Sequence, residues 1–202
     1  LITKNEAENI MDEAIGSQIS DYLIKPVNPN QVLLSLKKLI DNKRLVAEKT
    51  TSAYQQEFRS LFMALSDNPD YNGWMDIYKK LVYWELEMKK SDSPEMIEVF
   101  QSQKSEANTD FFKFISKNYA SWVGPKSTGA PIMSNTLMKY KVFPHLEKGT
   151  PLFFVLIDNL RFDQWKTIQP IFAESFRIHE EETFYSILPT ATQYARNAIF
   201  AG

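Results

Sequence analysis

The sequence contains no cysteine and only two histidines among its 202 residues. Without cysteine the chain cannot form a disulfide scaffold or a thiolate metal site, and this composition is typical of a reducing compartment. The two histidines, His145 and His179, have no ligand spacing to each other, and we interpret both as structural or exposed. No apolar run is long enough to span a bilayer, and we recognise no signal peptide, internal repeat or low-complexity segment.

The chain also lacks a strong net charge. Its 23 basic and 25 acidic residues give a net charge of -2, so nothing steers the whole molecule towards nucleic acid or an anionic membrane, although local patches still could. The hydrophobic fraction of 44% is ordinary for a soluble globular protein. Neither end resembles a native terminus, because Leu1 to Lys4 reads as the end of a strand and Ile199 to Gly202 as a helix and its stop. We therefore expect a piece of a longer protein, cut at both ends.

The first of three zones, residues 1–42, has the pattern strand, helix, strand, helix. This order implies a parallel sheet with right-handed crossovers. The second strand ends at Ile24, directly before a lysine and a proline. Asn28 is predicted to cap the following helix, with Pro29 at its first position.

The second zone, residues 43–149, is predicted to be almost entirely helical. Apolar and aromatic residues recur there at helical spacing, which favours core packing over a cofactor site. Glu85 is the one charged residue that interrupts the apolar stripe of its helix. Four helix boundaries are predicted. They are a break at Asn68-Pro69, a helix start at Pro94, a helix end at Gly124-Pro125 and the start of a further helix capped by Ser134.

The third zone, residues 150–202, is predicted to be α/β. Leu152–Ile157 is a continuous apolar run, which is typical of a strand buried on both faces of a sheet. Asp158 stands at its C-terminal end, where open α/β sheets place ligands. The remaining predicted elements are a helix with Trp165 and Ile168, strands near Phe176–Ile178 and Phe184–Ile187, and a helix from Pro189–Thr192 to Phe200.

A lysine at the C-terminal tip of a parallel strand can pair with a carboxylate or a phosphoryl group above the sheet. Lys25 has this position, Thr3 offers a hydroxyl at the tip of the neighbouring strand, and Pro26 can hold a cis peptide bond. With Tyr22 on the strand, this set resembles the C-terminal part of a CheY-like response-regulator receiver domain. The alternative is that Lys25-Pro26 is simply a strand that ends at a loop.

The receiver resemblance implies a role for each of these residues. Thr3 and Lys25 would stabilise an acyl-phosphate on an aspartate upstream of Leu1, and Tyr22 would be the switch aromatic that moves inward with Thr3. The complete receiver would also bind magnesium through acidic residues that lie outside this sequence.

A second pair of residues, Asp158 and Thr192, suggests phosphoryl or sulfuryl chemistry. Thr192 is predicted at the start of a helix, where free N–H groups and the helix dipole favour a phosphate or a developing oxyanion. A hydroxyl is a poor nucleophile unless a metal lowers its pKa, and an aspartate at a nearby strand tip can hold zinc. The pair therefore predicts a metal-activated threonine. The alternative is a turn-capping aspartate and a first-turn threonine without catalytic roles.

Two segments of the third zone resemble the PglZ branch of the alkaline-phosphatase superfamily. LIDNLRFDQW is similar to its first metal-binding strand, and LPTATQYARNAIFAG is similar to its nucleophile segment. The resemblance implies that Asp158 is a zinc ligand and that Thr192 is both the nucleophile and a ligand in a two-zinc site. Asn159 stands where many relatives have glycine, and the remaining Asp and His ligands are expected beyond Gly202. Residues implied as possible support are Arg161, Asp163 and Thr190.

The predicted fold is thus α/β plus all-α. It comprises the C-terminal part of a receiver domain (1–42), a helical bundle linker domain (43–149) and the start of an alkaline-phosphatase-like α/β domain (150–202). This order resembles a family of Bacteroidetes response regulators linked to type IX secretion.

The resemblance implies a cytoplasmic phosphoprotein with a PorY-like sensor histidine kinase, a homodimer formed on phosphorylation, and contact with an extracytoplasmic-function (ECF) sigma factor. It also implies a zinc-dependent phosphodiesterase that acts on nucleotides or oligonucleotides, with this piece inactive by itself. The alternative is a phosphorylation-gated docking module for the sigma factor with vestigial catalysis. Retention of both Asp158 and Thr192 favours the enzyme.

Overall fold

Helices dominate the computed structural model, which describes residues 2–3, 21, 23–90, 94–124, 129–146, 149 and 151–201. The chain divides into two compact units, one from Leu1–Glu57 with Glu87–Ile97 and the other from Phe58–Leu86 with Glu98–Gly202. Among the described helices, none combines the length and the apolar composition that crossing a membrane requires.

Two short parallel strands form the sheet at the start of the chain. Strand β1 (Ile2–Thr3) pairs with β2 (Leu23–Ile24), and Thr3 lies opposite Ile24 in the ladder. The predicted parallel pairing of these two strands is confirmed. The helix predicted between them falls outside the described residues.

Helix α1 (Pro29–Ser66) begins where its sequence signals place it. The Asn28 carboxamide oxygen accepts a hydrogen bond from the Asn30 N–H at 2.9 Å, and the Gln31 carboxamide oxygen accepts one from the Asn28 N–H at 3.2 Å. These bonds satisfy backbone donors that a helix start leaves free, so the predicted cap is confirmed. The domain boundary predicted after Asn42 lies inside α1, since no glycine or proline interrupts the helix after Pro29.

Helices α2 (Tyr71–Lys90) and α3 (Pro94–Trp122) follow. Asn68 adopts a positive φ of 47°, and Asp70 caps α2 by accepting a hydrogen bond from the third helical N–H at 2.8 Å. A left-handed residue two positions before a capping residue separates two helices sharply. The break at Asn68, the start at Pro94 and the end ahead of Gly124 are therefore confirmed.

The core of the larger unit is aromatic. Trp74 of α2 lies against two rings of α3, with centroid distances of 5.3 Å to Phe111 and 5.9 Å to Phe114. For the part of the aromatic stripe around Trp74, the interpretation as core packing is confirmed. The buried apolar residues of this unit in the first three helices are Leu61, Trp74, Ile77, Leu81, Val82, Trp84, Phe100 and Ala107.

Glu85 interrupts the apolar stripe of α2 because it pairs with a cation on α3. Its carboxylate lies 2.6 Å from the Lys104 ammonium. The neighbouring buried Gln103 donates a hydrogen bond to the Phe58 carbonyl at 3.1 Å. Polar groups in this face thus have partners, which is the condition for burying them without a large penalty.

After α3 the chain forms a compact series of short turns. These are a 3-10 turn (Ser134–Thr136), a π turn (Met138–Val142) and the short helix α4 (Phe143–Leu146). The prediction that Ser134 caps a helix was wrong. Ser134 is buried in the 3-10 turn, and its hydroxyl accepts a hydrogen bond from the distant Ile187 N–H at 3.2 Å.

The third zone forms helices α5 (Phe162–Ala173) and α6 (Thr192–Ala201) as predicted. The central strand predicted at Leu152–Ile157 was wrong. Leu152–Ile157 has no regular secondary structure, and Phe153 and Val155 are 91% and 77% exposed. A strand exists only with a partner for its N–H and C=O groups. Within the described chain no segment pairs with this run.

The other two strands predicted in this zone were also wrong. Phe176–Ile178 has no strand, and within Phe184–Ile187 the described ladder is a single parallel bridge between Tyr185 and Met133. The reason is again the missing partner, since an apolar pattern alone does not supply one.

Phe100 and Phe112 offer a matched test of the core. Both lie on α3, but Phe100 is 1% exposed and Phe112 is 70% exposed. Phe100→Ala is expected to lower the free energy of unfolding by about 3–5 kcal/mol because it leaves a cavity. Phe112→Ala is expected to change it by less than about 0.5 kcal/mol. Urea unfolding followed by circular dichroism measures both, and equal losses would contradict this assignment of the core.

Candidate active site

Thr192 is the first residue of helix α6 and is exposed. The carbonyl of Ala191 accepts hydrogen bonds from the N–H groups of Tyr194 and Ala195, both at 2.9 Å, and so closes the first turn. Upstream, the Leu188-Pro189 peptide bond is cis. The threonine hydroxyl therefore stands at the positive end of a helix dipole, where negative charge is stabilised.

Asp158 lies beside α6 rather than at the tip of a strand. Its carboxylate is 3.7 Å from the guanidinium of Arg196, and both side chains are 48% exposed. Arg196 follows Thr192 by four residues, so the two share one face of the helix. The ion pair places a carboxylate, a cation and the threonine on the same side of α6.

Sequence reasoning missed Arg196. The signal that could have found it is its spacing of one helical turn from Thr192, since a cation at that position faces the same side as the hydroxyl. A guanidinium can bind two oxygens of a carboxylate or a phosphoryl group at once.

The turn after Asp158 depends on Asn159, which has a positive φ of 59°. Glycine adopts this left-handed conformation freely, and asparagine tolerates it better than most other residues. Asn159 therefore adopts a backbone conformation that glycine would also accept. The backbone turn that carries Asp158 is compatible with either residue.

Arg161 and Asp163 form a tight pair at the start of α5. The Arg161 Nε and Nη2 atoms donate to the two Asp163 carboxylate oxygens, both at 2.9 Å. This hydrogen bonding, with the charge of the guanidinium, lowers the pKa of Asp163 to about 2. Among the described residues, neither member of the pair bonds to Asp158 or Thr192, so their supporting role stays a prediction.

Thr190 is exposed and lines a cavity of about 390 Å³. The walls are mostly aromatic and aliphatic side chains from α2, α3 and residues 183–190. Such a volume falls within the range of small-molecule sites. The cavity borders the chain segment that leads into Thr192.

That segment is anchored through Tyr185. The Tyr185 N–H donates to the Ile132 carbonyl, and the Ser134 N–H donates to the Tyr185 carbonyl, both at 3.0 Å. The Tyr185 hydroxyl donates to the Tyr71 carbonyl at 2.8 Å, and its ring lies 5.2 Å from that of Trp122. Burial raises the pKa of Tyr185, which keeps the hydroxyl a donor.

The residues predicted as a receiver switch lie at one end of the β1–β2 pair. Thr3 ends β1 opposite Ile24, and Lys25 directly follows Ile24. The Lys25-Pro26 peptide bond is cis, and both residues are exposed. Tyr22 lies outside the described residues. The backbone thus brings Thr3 and Lys25 to the same edge, while their role stays a prediction.

Asp158 and Thr192 fit the start of a zinc site without completing one. They supply two oxygen donors, whereas zinc in proteins takes four ligands in a structural site and three protein ligands plus water in a catalytic one. Within the described chain, no cluster of three acidic or histidine side chains lies close enough to hold a metal ion.

Two family models match this chain. Residues 44–123 match a model described as the PorX response regulator linker domain, and residues 137–202 match one described as the BREX system PglZ alkaline phosphatase-like domain. The third zone is thus alkaline-phosphatase-like by sequence. The order of the two matches confirms the resemblance predicted above, to a response regulator of the PorX type with a PglZ-like domain. Comparison with curated proteins gives no match.

The pKa of Asp163 provides a test of its pairing with Arg161. Because the pKa is lowered, the pair stabilises the fold above the unfolded value of 3.8, and this stability is lost as the pH falls towards about 2. In Arg161→Gln the pKa of Asp163 should return towards 3.8. NMR titration of the carboxyl carbon measures it, with the exposed Arg177→Gln as the control. A pKa that stays near 2 in Arg161→Gln would show a different cause.

Proposed function

We propose that the full-length protein is a two-component response regulator whose output is a zinc-dependent phosphodiesterase. Its substrates are nucleotides or oligonucleotides, and its output serves the regulation of type IX secretion. The observation that carries the proposal is the placement of Thr192, Asp158 and Arg196 on one side of α6. This region lies within the alkaline-phosphatase-like match.

In the proposed reaction, the Thr192 hydroxyl attacks the phosphorus of a phosphodiester. The bond to one ester oxygen breaks, that oxygen leaves as an alcohol after taking up a proton, and the remaining phosphoryl ester stays on the threonine. Water then cleaves the threonine–phosphorus bond to release a phosphate monoester and restore the hydroxyl. The net change is one diester and one water converted into one monoester and one alcohol.

Each residue of the set has a separate task in this reaction. Asp158 and Thr192 would hold zinc, with the remaining ligands from outside the described residues. Bound zinc lowers the pKa of a coordinated hydroxyl and offsets phosphoryl charge. Arg196 binds a non-bridging phosphoryl oxygen through its guanidinium. The first N–H groups of α6 face the same developing charge.

The regulatory half of the proposal concerns the receiver. Thr3 and Lys25 act on an acyl-phosphate delivered by a PorY-like sensor histidine kinase, with magnesium in the complete receiver, and Tyr22 is the switch residue. Phosphorylation forms a homodimer in the cytoplasm. Support comes from the shared edge of Thr3 and Lys25 and from the match to a response-regulator linker.

An alternative output is a docking module for an ECF sigma factor with vestigial catalysis. The observation that favours it is the exposed apolar run 151–157, in which Phe153 and Val155 are largely accessible. Contiguous exposed apolar surface is common at protein interfaces. A docking surface, however, has no need of the hydroxyl, the carboxylate and the guanidinium beside α6.

The nucleophile assignment is tested with Thr192→Ala in the full-length protein. Zinc-dependent hydrolysis of bis(p-nitrophenyl) phosphate is expected to fall at least about 1,000-fold, since nothing else in the set can attack phosphorus. Thr109→Ala is the matched control, because Thr109 is exposed on α3 and its hydroxyl donates to the Ser105 carbonyl of the same helix. This variant should keep the activity of the wild type.

Chelation and zinc re-addition complete that experiment. Loss and recovery of activity in the wild type, but not in Thr192→Ala, would support the enzyme. A wild type without zinc-dependent activity, or equal rates in both proteins, would overturn it and leave the docking module.

The role of Arg196 is tested by two substitutions. Arg196→Ala is expected to lower kcat/KM about 100-fold, because a charged donor to the phosphoryl group is lost. Arg196→Lys should lose less of its kcat/KM, since lysine keeps the positive charge but lacks the paired N–H donors of the guanidinium. Arg59→Ala, at an exposed position of α1, is the control. Steady-state kinetics with the same diester measure all three, and full activity in Arg196→Ala would refute the assignment.

A further inference from the structure

A side-chain hydrogen bond from α3 reaches the main chain just ahead of the proposed nucleophile. The Tyr119 hydroxyl, near the C-terminal end of α3, accepts a hydrogen bond from the Leu188 N–H at 2.7 Å. Leu188 precedes Thr192 by four residues, and a cis proline peptide follows it. The bond therefore acts on the loop that places Thr192.

This hydrogen bond is the last of several that hold residues 185–188 in place. The Tyr185 N–H donates to the Ile132 carbonyl, and the Tyr185 carbonyl accepts from the Ser134 N–H. The Ile187 N–H donates to the Ser134 hydroxyl. Beyond Leu188, Pro189 has no N–H to donate. Among the described residues, no side chain outside α6 bonds to residues 189–192. Tyr119 is thus the last external anchor before the helix.

The two partners belong to different family matches. Tyr119 lies in the segment that matches the PorX linker, and Leu188 lies in the segment that matches the PglZ domain. Tyr119 is half-buried and lines the 390 Å³ cavity beside Thr190. The open volume next to the loop means that packing alone does not fix its position, so a directional hydrogen bond matters more there.

We propose that Tyr119 is a positioning residue for the reaction of Thr192. Its hydroxyl fixes the Leu188 amide and hence the start of α6, so that the linker sets the alignment of the nucleophile. This inference rests on the proposed function of Thr192. Tyr119 does not touch the reacting atoms, and it acts on turnover through the loop 188–191.

Tyr119→Phe removes the hydroxyl and keeps the ring. In the full-length protein with zinc, kcat for bis(p-nitrophenyl) phosphate is expected to fall about 10-fold, with KM within about twofold of wild type, because misplacing a reacting group slows the chemical step. Tyr83→Phe is the matched control, since Tyr83 is an exposed tyrosine on α2. It should leave both constants unchanged.

Hydrogen exchange supplies a readout that does not depend on activity. The peptide covering residues 185–192 should exchange faster in Tyr119→Phe than in wild type or Tyr83→Phe, because the Leu188 amide has lost its acceptor. The melting temperature should stay close to that of the wild type.

The outcomes separate this proposal from the one it rests on. A lower kcat with faster exchange and an unchanged melting temperature supports the positioning role. Wild-type kcat and exchange in Tyr119→Phe overturn it while leaving the enzyme intact. A lower kcat together with a lower melting temperature also overturns it. So does a change in KM with kcat unchanged. A wild type without zinc-dependent activity overturns the proposed function first, and this inference with it.

Discussion

The packing of the half-buried Tyr185 against aromatic rings of the linker is the contact on which the candidate site depends. Its ring lies 6.2 Å from Phe111 and 5.2 Å from Trp122, and its hydroxyl donates to the Tyr71 carbonyl. Aromatic contacts and a partly buried hydroxyl with a hydrogen-bond partner each stabilise the arrangement. Because Tyr185 lies seven residues before Thr192, its anchor determines where the chain can begin α6.

This arrangement connects the candidate site to the linker. The core of α2 and α3 is continuous with Tyr185 through Trp74 and Phe111, and α3 continues to Tyr119 and its bond with Leu188. A change in the packing of α3 therefore reaches the start of α6 through two contacts of different kinds. A helical linker in a response regulator has to transmit a signal, and contacts of this kind are a physical means to do so.

Sequence reasoning predicted the elements whose signals are local. The cap at Asn28, the start at Pro94 and the helix that begins at Thr192 all depend on residues within a few positions. It was wrong where the outcome depends on distant partners. Leu152–Ile157 is apolar enough for a buried strand, but pairing decides whether a strand forms. Ser134 has the chemistry of a cap, yet its hydroxyl bonds Ile187, 53 residues away.

The candidate site also combines an element that was predicted wrongly with a residue that lies close to the predicted helix. The strand before Asp158 was predicted wrongly, yet the Asp158 carboxylate still lies beside α6, 3.7 Å from the Arg196 guanidinium. A half-exposed ion pair contributes only about 0–1 kcal/mol, so Asp158 can exchange its guanidinium partner for a metal ion at little cost. In the proposed reaction that exchange would release Arg196 to bind the phosphoryl group. A weak pair at this position is thus compatible with catalysis, whereas a bidentate pair with two short hydrogen bonds, such as Arg161 with Asp163, would resist the same exchange.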